Sequence, residues 1–453
     1  MSLIRYQNIL VNKSLKIGFC FFYIGLFLLP SALSLSIICL IISALIGAKH
    51  SRSTYIKDIW NKILLIISVL LVISAIFHTF FLDPDLNNGW EYYLTWIGLL
   101  NFLPFFCFFW GIQPYLIRKK DRRICSLILL SGTMPVLITG IGQYFFNWTG
   151  PMETLFGLIK WYQRPLGEFD GLSGLFNNAN YAGSWLNIVW PFCLAAFFRK
   201  CKVYKKGIIL SILLFVLTAI FLTNSRSSWG VLLINSFIMF SKFQWVIFLP
   251  IVFILALIVL FLSPFLITNL KPVIIYFIPK KIWIEFTQLH FDELEVTRQD
   301  LWGYAVKTII KNPIFGKGAN SFSESFNFEN EVWHGHAHNF PLEIAHSYGI
   351  PAAIILVGFI LTLTILSLKT IWRSSSKIDE EIIFDKAWIA AMFSFLISHT
   401  VDITYFDGRI SIAAWILLAG MRNIILNHKT TSNLKDEKNL EYKLVSNKRT
   451  KFI

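Results

Sequence analysis

Apolar runs long enough to cross a bilayer recur along the chain, separated by polar or basic breaks. A spanning helix needs about 20 apolar residues. Twelve runs meet or approach that length: 16–30, 31–47, 63–81, 94–117, 124–146, 180–198, 206–223, 228–241, 245–269, 347–368, 387–406 and 410–427. They are not the roughly ten-residue alternating strands of a membrane barrel, so helices, which satisfy their own backbone polar groups in lipid, are expected. The first run passes into the second with no small-residue cleavage site and reads as a retained span. The predicted fold is an all-α integral membrane protein with about 12 transmembrane helices. Residues 1–150 form an N-terminal group of spans and 151–427 a second membrane domain. Residues 428–453 are polar and basic, and are expected to form a largely disordered cytoplasmic tail. Interrupted spans and internal repeats are not visible in the pattern.

The breaks sort by charge. If the N-terminus is cytoplasmic and sides alternate, Lys and Arg gather in 48–62, 118–123, 199–206, 368–386 and the tail, all on one side. Basic loops stay cytoplasmic, so both termini are expected inside. Two long hydrophilic segments, 147–179 and 270–346, then face outside. In the second, Leu294, Leu301, Ala305 and Ile309 recur at helical spacing and Pro313 ends the run. That pattern predicts an amphipathic helix at or above the outer surface. A loop of this length with its own helix is more often functional than passive.

Composition narrows the class. Of 453 residues, 55% are hydrophobic and only 15% charged, against about 25% charged in soluble domains. The formal net charge of +15 would suit a nucleic-acid partner. Its confinement to one set of loops instead fits membrane orientation beside anionic lipid, and no nucleic acid is expected. The six cysteines show no disulfide framework and no CxxC pair.

The residues with chemical potential fall on the outer side. They are Arg164 in YQRPLG, Asn178 in GLFNNANYAG, Arg226 in TNSRSSWG, Arg298 on the amphipathic helix, His338, and Asp402, Asp407 and Arg409 in SHTVDITYFDGRI. Ionisable groups at membrane depth are costly and by default functional. Plainer roles exist: Arg226 could snorkel to headgroups, and Asp402 could pair structurally with an arginine. His338 is followed by Asn339, a suitable helix N-cap, with Pro341 in the first turn and Glu343 close behind. A helix start beside the imidazole favours an anion and a neutral ring, as a base requires. His334, His336 and His338 alternate and would share one face of an extended segment, a possible metal face. No acidic or thiolate partner stands at fixed spacing, so no metal site is expected. Asp83-Pro84-Asp85 reads as a solvated turn.

Taken in order, these stretches resemble a known family. His338-Asn339, nine residues, then Gly349-Ile350-Pro351-Ala352 is similar to the His-Asn/Ser/Gln-x9-Gly motif of O-antigen ligases and their relatives, the O-antigen polymerases and protein O-oligosaccharyltransferases. Gly174-Leu175-Phe176 with Asn178 and Asn180 resembles the family's G-x-F-x-N-x-N segment, and Ser225-Arg226 its S-R turn. Arg298, Trp302, Pro313, Gly316 and Gly318 resemble its R-x3-W…P-x2-G-x-G run. The resemblance covers about 160 to 420; residues 1–150 match in hydropathy alone. Ala352 stands where the motif has Gly, Thr or Tyr. The Asp402…Asp407-x-Arg409 ending with Trp415 looks most like a cyanobacterial branch labelled as bicarbonate transporters.

The resemblance implies a metal-independent, cofactor-free inverting glycosyltransferase in a bacterial inner membrane. Its donor would be a glycan on undecaprenyl diphosphate at the periplasmic face, and its acceptor a hydroxyl of lipid A-core or of another glycan. His338 would be the base, with Arg164, Asn178, Arg226, Arg298, Asp402 and Arg409 around the substrate. The rival is a transporter of bicarbonate or another small anion, which would need a midplane site on broken helices.

Overall fold

The structure, a computed structural model, describes residues 13–81, 91–167, 170–239, 296–374 and 380–449. The expected span 245–269 and the turn at Asp83-Pro84-Asp85 lie outside them. Among the described residues, nine helices are long and apolar enough to cross a membrane, and the chain is a multi-pass membrane protein. They coincide with nine of the twelve expected spans. The first expected span is a helix of 16 residues, α1 (Lys13–Leu28). The eighth is described as α10 (Arg226–Met239).

In chain order, α1 is followed by α2 (Leu33–Ser51), α3 (Ile59–Phe80), α4 (Tyr93–Leu99), α5 (Leu103–Ile112), α6 (Lys119–Gly132) and α7 (Met134–Phe146). A hairpin, β1 (Met152–Thr154) and β2 (Ile159–Trp161), precedes α8 (Ala179–Phe198) and α9 (Val203–Leu222). After α10 come α11 (Arg298–Lys311), α12 (Phe322–Asn330), α13 (Phe340–Tyr348), α14 (Ile350–Ser374), α15 (Glu380–Val401) and α16 (Gly408–Arg449). At the centre, α8 packs against α9, α10 and α15, while α16 packs against α5, α14 and α15.

Small residues let these helices approach. A Cβ on Gly47 would lie 1.9 Å from the Gly111 carbonyl oxygen, so α2 and α5 touch backbone to backbone. Close approach through small residues is how helices gain packing energy where lipid offers no hydrophobic drive.

Two spans are interrupted, contrary to the sequence expectation. The Tyr93–Leu116 span is α4, a break at 100–102, α5 and a 3₁₀ turn over Gln113–Leu116. The Lys119–Phe146 span breaks at Thr133 between α6 and α7. Pro104 and Pro135 stand in the first turns of the resuming helices. Each removes an N–H and restarts the ladder, which hydropathy averaging does not register.

The polar contacts collect at two ends. At one, Asp58 pairs with Arg422, Arg123 with Glu381, and buried Arg122 binds Asp385 through two bonds of 2.6 and 2.7 Å. Removing either partner of such a buried pair costs about 3–5 kcal/mol. At the other, the Trp161 indole donates to the Ser31 carbonyl (2.7 Å), and His78 Nε2 meets the Gly316 carbonyl (3.2 Å). There too, Asn320 donates to the Leu94 carbonyl (3.1 Å). Each contact joins segments that span alternation places on the same side.

The two long hydrophilic segments have their own architecture. α11 begins in a capping box formed by Thr297 and Asp300. Its Leu301 and Ala305 pack with Tyr304, Phe322, Phe326 and Ala337 in a small separate core. The expected amphipathic helix therefore covers a protein cluster, and Leu294 lies outside the described residues. The hairpin in 147–179 was not expected: three-residue strands are too short to carry a period-2 signal. The last helix runs to Arg449, where sequence composition suggested disorder. Extending a helix already nucleated in a span costs little per residue.

Candidate active site at the helix termini

The loop before α13 places His338 in a left-handed conformation, φ +50. For a non-glycine residue that costs on the order of 1–3 kcal/mol and persists only where neighbours enforce it. The neighbours are visible. The Ala337 N–H donates to Glu343 Oε2 (3.0 Å) and the His338 N–H to His336 Nδ1 (3.2 Å). Asn339 caps α13 by accepting from the Leu342 N–H (3.1 Å), as its sequence position suggests, and its Nδ2 donates to the Thr400 carbonyl (3.0 Å). The loop is fastened to its own helix and to the end of α15.

That fastening aims the imidazole. His338 Nδ1 lies 3.0 Å from Asp402 Oδ1. Asp402 is buried and also accepts from the Ile403 N–H (2.7 Å). Burial alone would raise its carboxyl pKa. The His338 hydrogen bond and charge, with the Ile403 N–H, outweigh that and hold it below the usual value. An ionised Asp402 takes the Nδ1–H and leaves Nε2 as the acceptor, the tautomer being assigned from this partner. Burial and the charge of His338 push His336 down to about 4, so it is neutral near pH 7 and its Nδ1 can accept the backbone N–H. Glu343 is fully buried on α13, and desolvation lifts it to about 7.

His336, His338 and Asp402 also bring one ligand atom each within 4.8 Å of one another, so the three could hold a divalent metal. The acidic partner missing at sequence level is supplied from the loop after α15, and it replaces His334 in the grouping.

Most other candidates also sit at helix starts. Asn178 caps α8, its Oδ1 accepting from the Asn180 (2.8 Å) and Tyr181 (3.3 Å) N–H groups. Arg226 and Arg298 are exposed and are the first residues of α10 and α11. A cation at a helix N-terminus opposes the macrodipole, so these arginines do not serve their own helices. An anion held jointly by guanidinium and first-turn N–H groups would reconcile them.

The segments are stitched together. Leu172 donates to the Leu222 carbonyl (2.7 Å). A Cβ on Gly171 would lie 1.8 Å from the Thr223 carbonyl oxygen, so the turn bearing Arg226 lies against the stretch before Gly174. The Tyr181 hydroxyl donates to the Ile403 carbonyl (3.4 Å), joining the start of α8 to the Asp402 loop. α11, which begins at Arg298, packs on α13.

Two candidates have other engagements. Arg409 Nε binds Asp407 (2.9 and 3.1 Å), its Nη1 donates to the Leu175 carbonyl (2.7 Å), and its guanidinium lies 3.8 Å over the Phe176 ring. It clamps the Gly174-Leu175-Phe176 segment to the loop after α15. Arg164 is exposed and pairs with Asp170 (3.3 Å). Asp402, considered above as an arginine's partner, pairs with His338. Sequence reasoning missed Glu343 as the acceptor that shapes the His338 loop. Its place three residues after the N-terminal Phe340 of α13, at a core-facing position, was the available signal.

The fold and site thus define a multi-pass membrane protein with an oriented His–Asp pair at one end of its helices. Residues 183–357 match the family model described as O-antigen ligase. The matched stretch contains Arg226, Arg298 and His338 and stops before Asp402. No curated protein sequence matches the chain.

Proposed function

We propose that this protein transfers a glycan from undecaprenyl diphosphate to an acceptor hydroxyl, with inversion, at the periplasmic face of a bacterial inner membrane. The observation that carries the reading is the His338–Asp402 hydrogen bond of 3.0 Å, beside a helix start, with His338 inside the stretch that matches the O-antigen ligase model. His338 Nε2 takes the acceptor proton as the acceptor oxygen bonds to the anomeric carbon. The bond from that carbon to the diphosphate breaks, and the lipid diphosphate leaves with the electron pair. Asp402 orients the ring and balances the imidazolium that forms. Arg226 and Arg298 receive the charge growing on the leaving diphosphate. Lipid A-core or another glycan serves as acceptor, and no cofactor enters.

The interrupted spans favour an anion transporter. The break at 100–102 borders a small space whose walls are mostly apolar, among them Phe102, Phe340, Leu356 and Trp415, with Asn101 and Ser411 as polar members and no cationic side chain to hold an anion. Purified protein in liposomes separates the readings. With undecaprenyl-diphosphate glycan and acceptor outside, glycosylated product and free lipid diphosphate should appear, undiminished by chelator. Uptake of labelled bicarbonate without product would select the transporter instead.

Orientation is tested separately. A reporter fused after Asn427 should be active only in the cytoplasm and one inserted at 331–333 only in the periplasm. The opposite pattern would put the His338 pair on the wrong side for a lipid-borne donor.

A further inference from the structure

We infer that the cavity between the α1–α2 turn and the β-hairpin is a sugar-binding subsite, an inference resting on the glycan-transfer reading. The cavity measures about 320 Å³, at the small end of ligand pockets and suited to a single ring rather than a long chain. Its walls include Ser31, Ser34, Lys160, Trp161, Tyr162 and Arg409; neither His338 nor Asp402 lines it.

The lining chemistry is that of a polyol site. Aromatic rings offer apolar faces to the C–H side of a sugar. Hydroxyls, an ammonium and a guanidinium offer donors and acceptors to its hydroxyls. The cations are already balanced, Arg409 by Asp407 and Lys160 by Glu153 (2.8 Å). A neutral ring therefore fits better than a free anion. Arg409 commits three of its five N–H groups to Asp407 and Leu175, leaving two for a ligand.

The walls are preformed. The Trp161 indole is latched to the Ser31 carbonyl, the Gly150 N–H donates to the Gln163 carbonyl (2.7 Å), and Gln163 Nε2 donates to the Thr139 carbonyl (2.6 Å). The hairpin tip is apolar, with Leu155, Phe156 and Leu158 exposed just past the end of a membrane span. Such a tip belongs at the lipid interface. The cavity mouth then stands where a membrane-anchored glycan would present its first sugars. One loop joins it to the candidate base, with Asp402 at one end and Arg409 at the other.

The sugar could come from the donor or from the acceptor, and kinetics distinguish them. Tyr162→Ala, and Ser34→Tyr to fill the cavity, should each raise the KM for one substrate about tenfold with kcat within a factor of two. A change for the lipid-linked donor assigns the ring to the donor, and a change for the acceptor assigns it there. Binding is read independently of transfer by titrating free oligosaccharide against tryptophan fluorescence, with His338→Ala protein as the background. Saturable binding in His338→Ala that is lost on adding Ser34→Tyr supports the subsite even if the transfer reaction is not the one proposed. Equal binding with and without Ser34→Tyr, or variants that lower kcat and leave both KM values unchanged, would overturn it.

Discussion

His338→Ala should lower glycan transfer by about a hundredfold to ten-thousandfold, the usual cost of losing a general base, while the protein still inserts and accumulates. Asp402→Asn should cost nearly as much. The amide can still meet the imidazole, but it no longer requires the proton on Nδ1 and cannot balance an imidazolium. His336→Ala removes the acceptor for the His338 N–H and ring contacts with His338 and Phe406, but no group that touches the reacting atoms. One hydrogen bond is worth roughly 1 kcal/mol, so its loss should be about fivefold, and that of His334→Ala smaller. Rates measured with reconstituted protein at saturating donor would check the order. Equal, severe losses in His336→Ala, His338→Ala and Asp402→Asn, reversed by added zinc, would replace the base with a metal held by those three residues.

The second large effect concerns Arg226 and Arg298. If each grips the diphosphate with a planar fork, Arg226→Lys and Arg298→Lys should lose at least about tenfold in transfer, because a point charge cannot make the paired bonds. Competition by undecaprenyl diphosphate should weaken in both variants. Arg164 and Arg409 give the contrast. Arg164→Lys should change transfer by less than about threefold, because an exposed pair such as the one with Asp170 contributes little. Arg409→Lys should loosen the Leu175–Phe176 segment and with it one wall of the hairpin cavity. Normal transfer and unaltered competition in both Arg226→Lys and Arg298→Lys would move the anion site elsewhere on the outer face.

These expectations draw on two different sources. Nine of the twelve expected spans, the helix opening at Asn339 and the buried face of α11 were legible in the sequence. Each depends on residues close together in the chain: a run of apolar side chains, a cap and its first turn, or a 3.6-residue period. The candidate residues were singled out for a related reason, since polar groups stand out against so apolar a background.

What only the tertiary structure decided is which of those residues meet. His338 and Asp402 are 64 positions apart, on loops flanked by different helices, and no local rule couples them. Arg409 was expected beside the substrate, and it lines the hairpin cavity. Its near neighbour Asp407 and the distant Leu175 carbonyl take up most of its fork, and that can be known only once the start of α16 has packed beside the segment before α8. The breaks at 100–102 and Thr133 and the short hairpin were hidden because prolines and three-residue strands barely alter hydropathy. The amino-acid sequence alone therefore determined the helices and the polar groups available to them. Helix packing decided their partners, because a hydrogen bond depends on distance and direction in space and has no period along the chain.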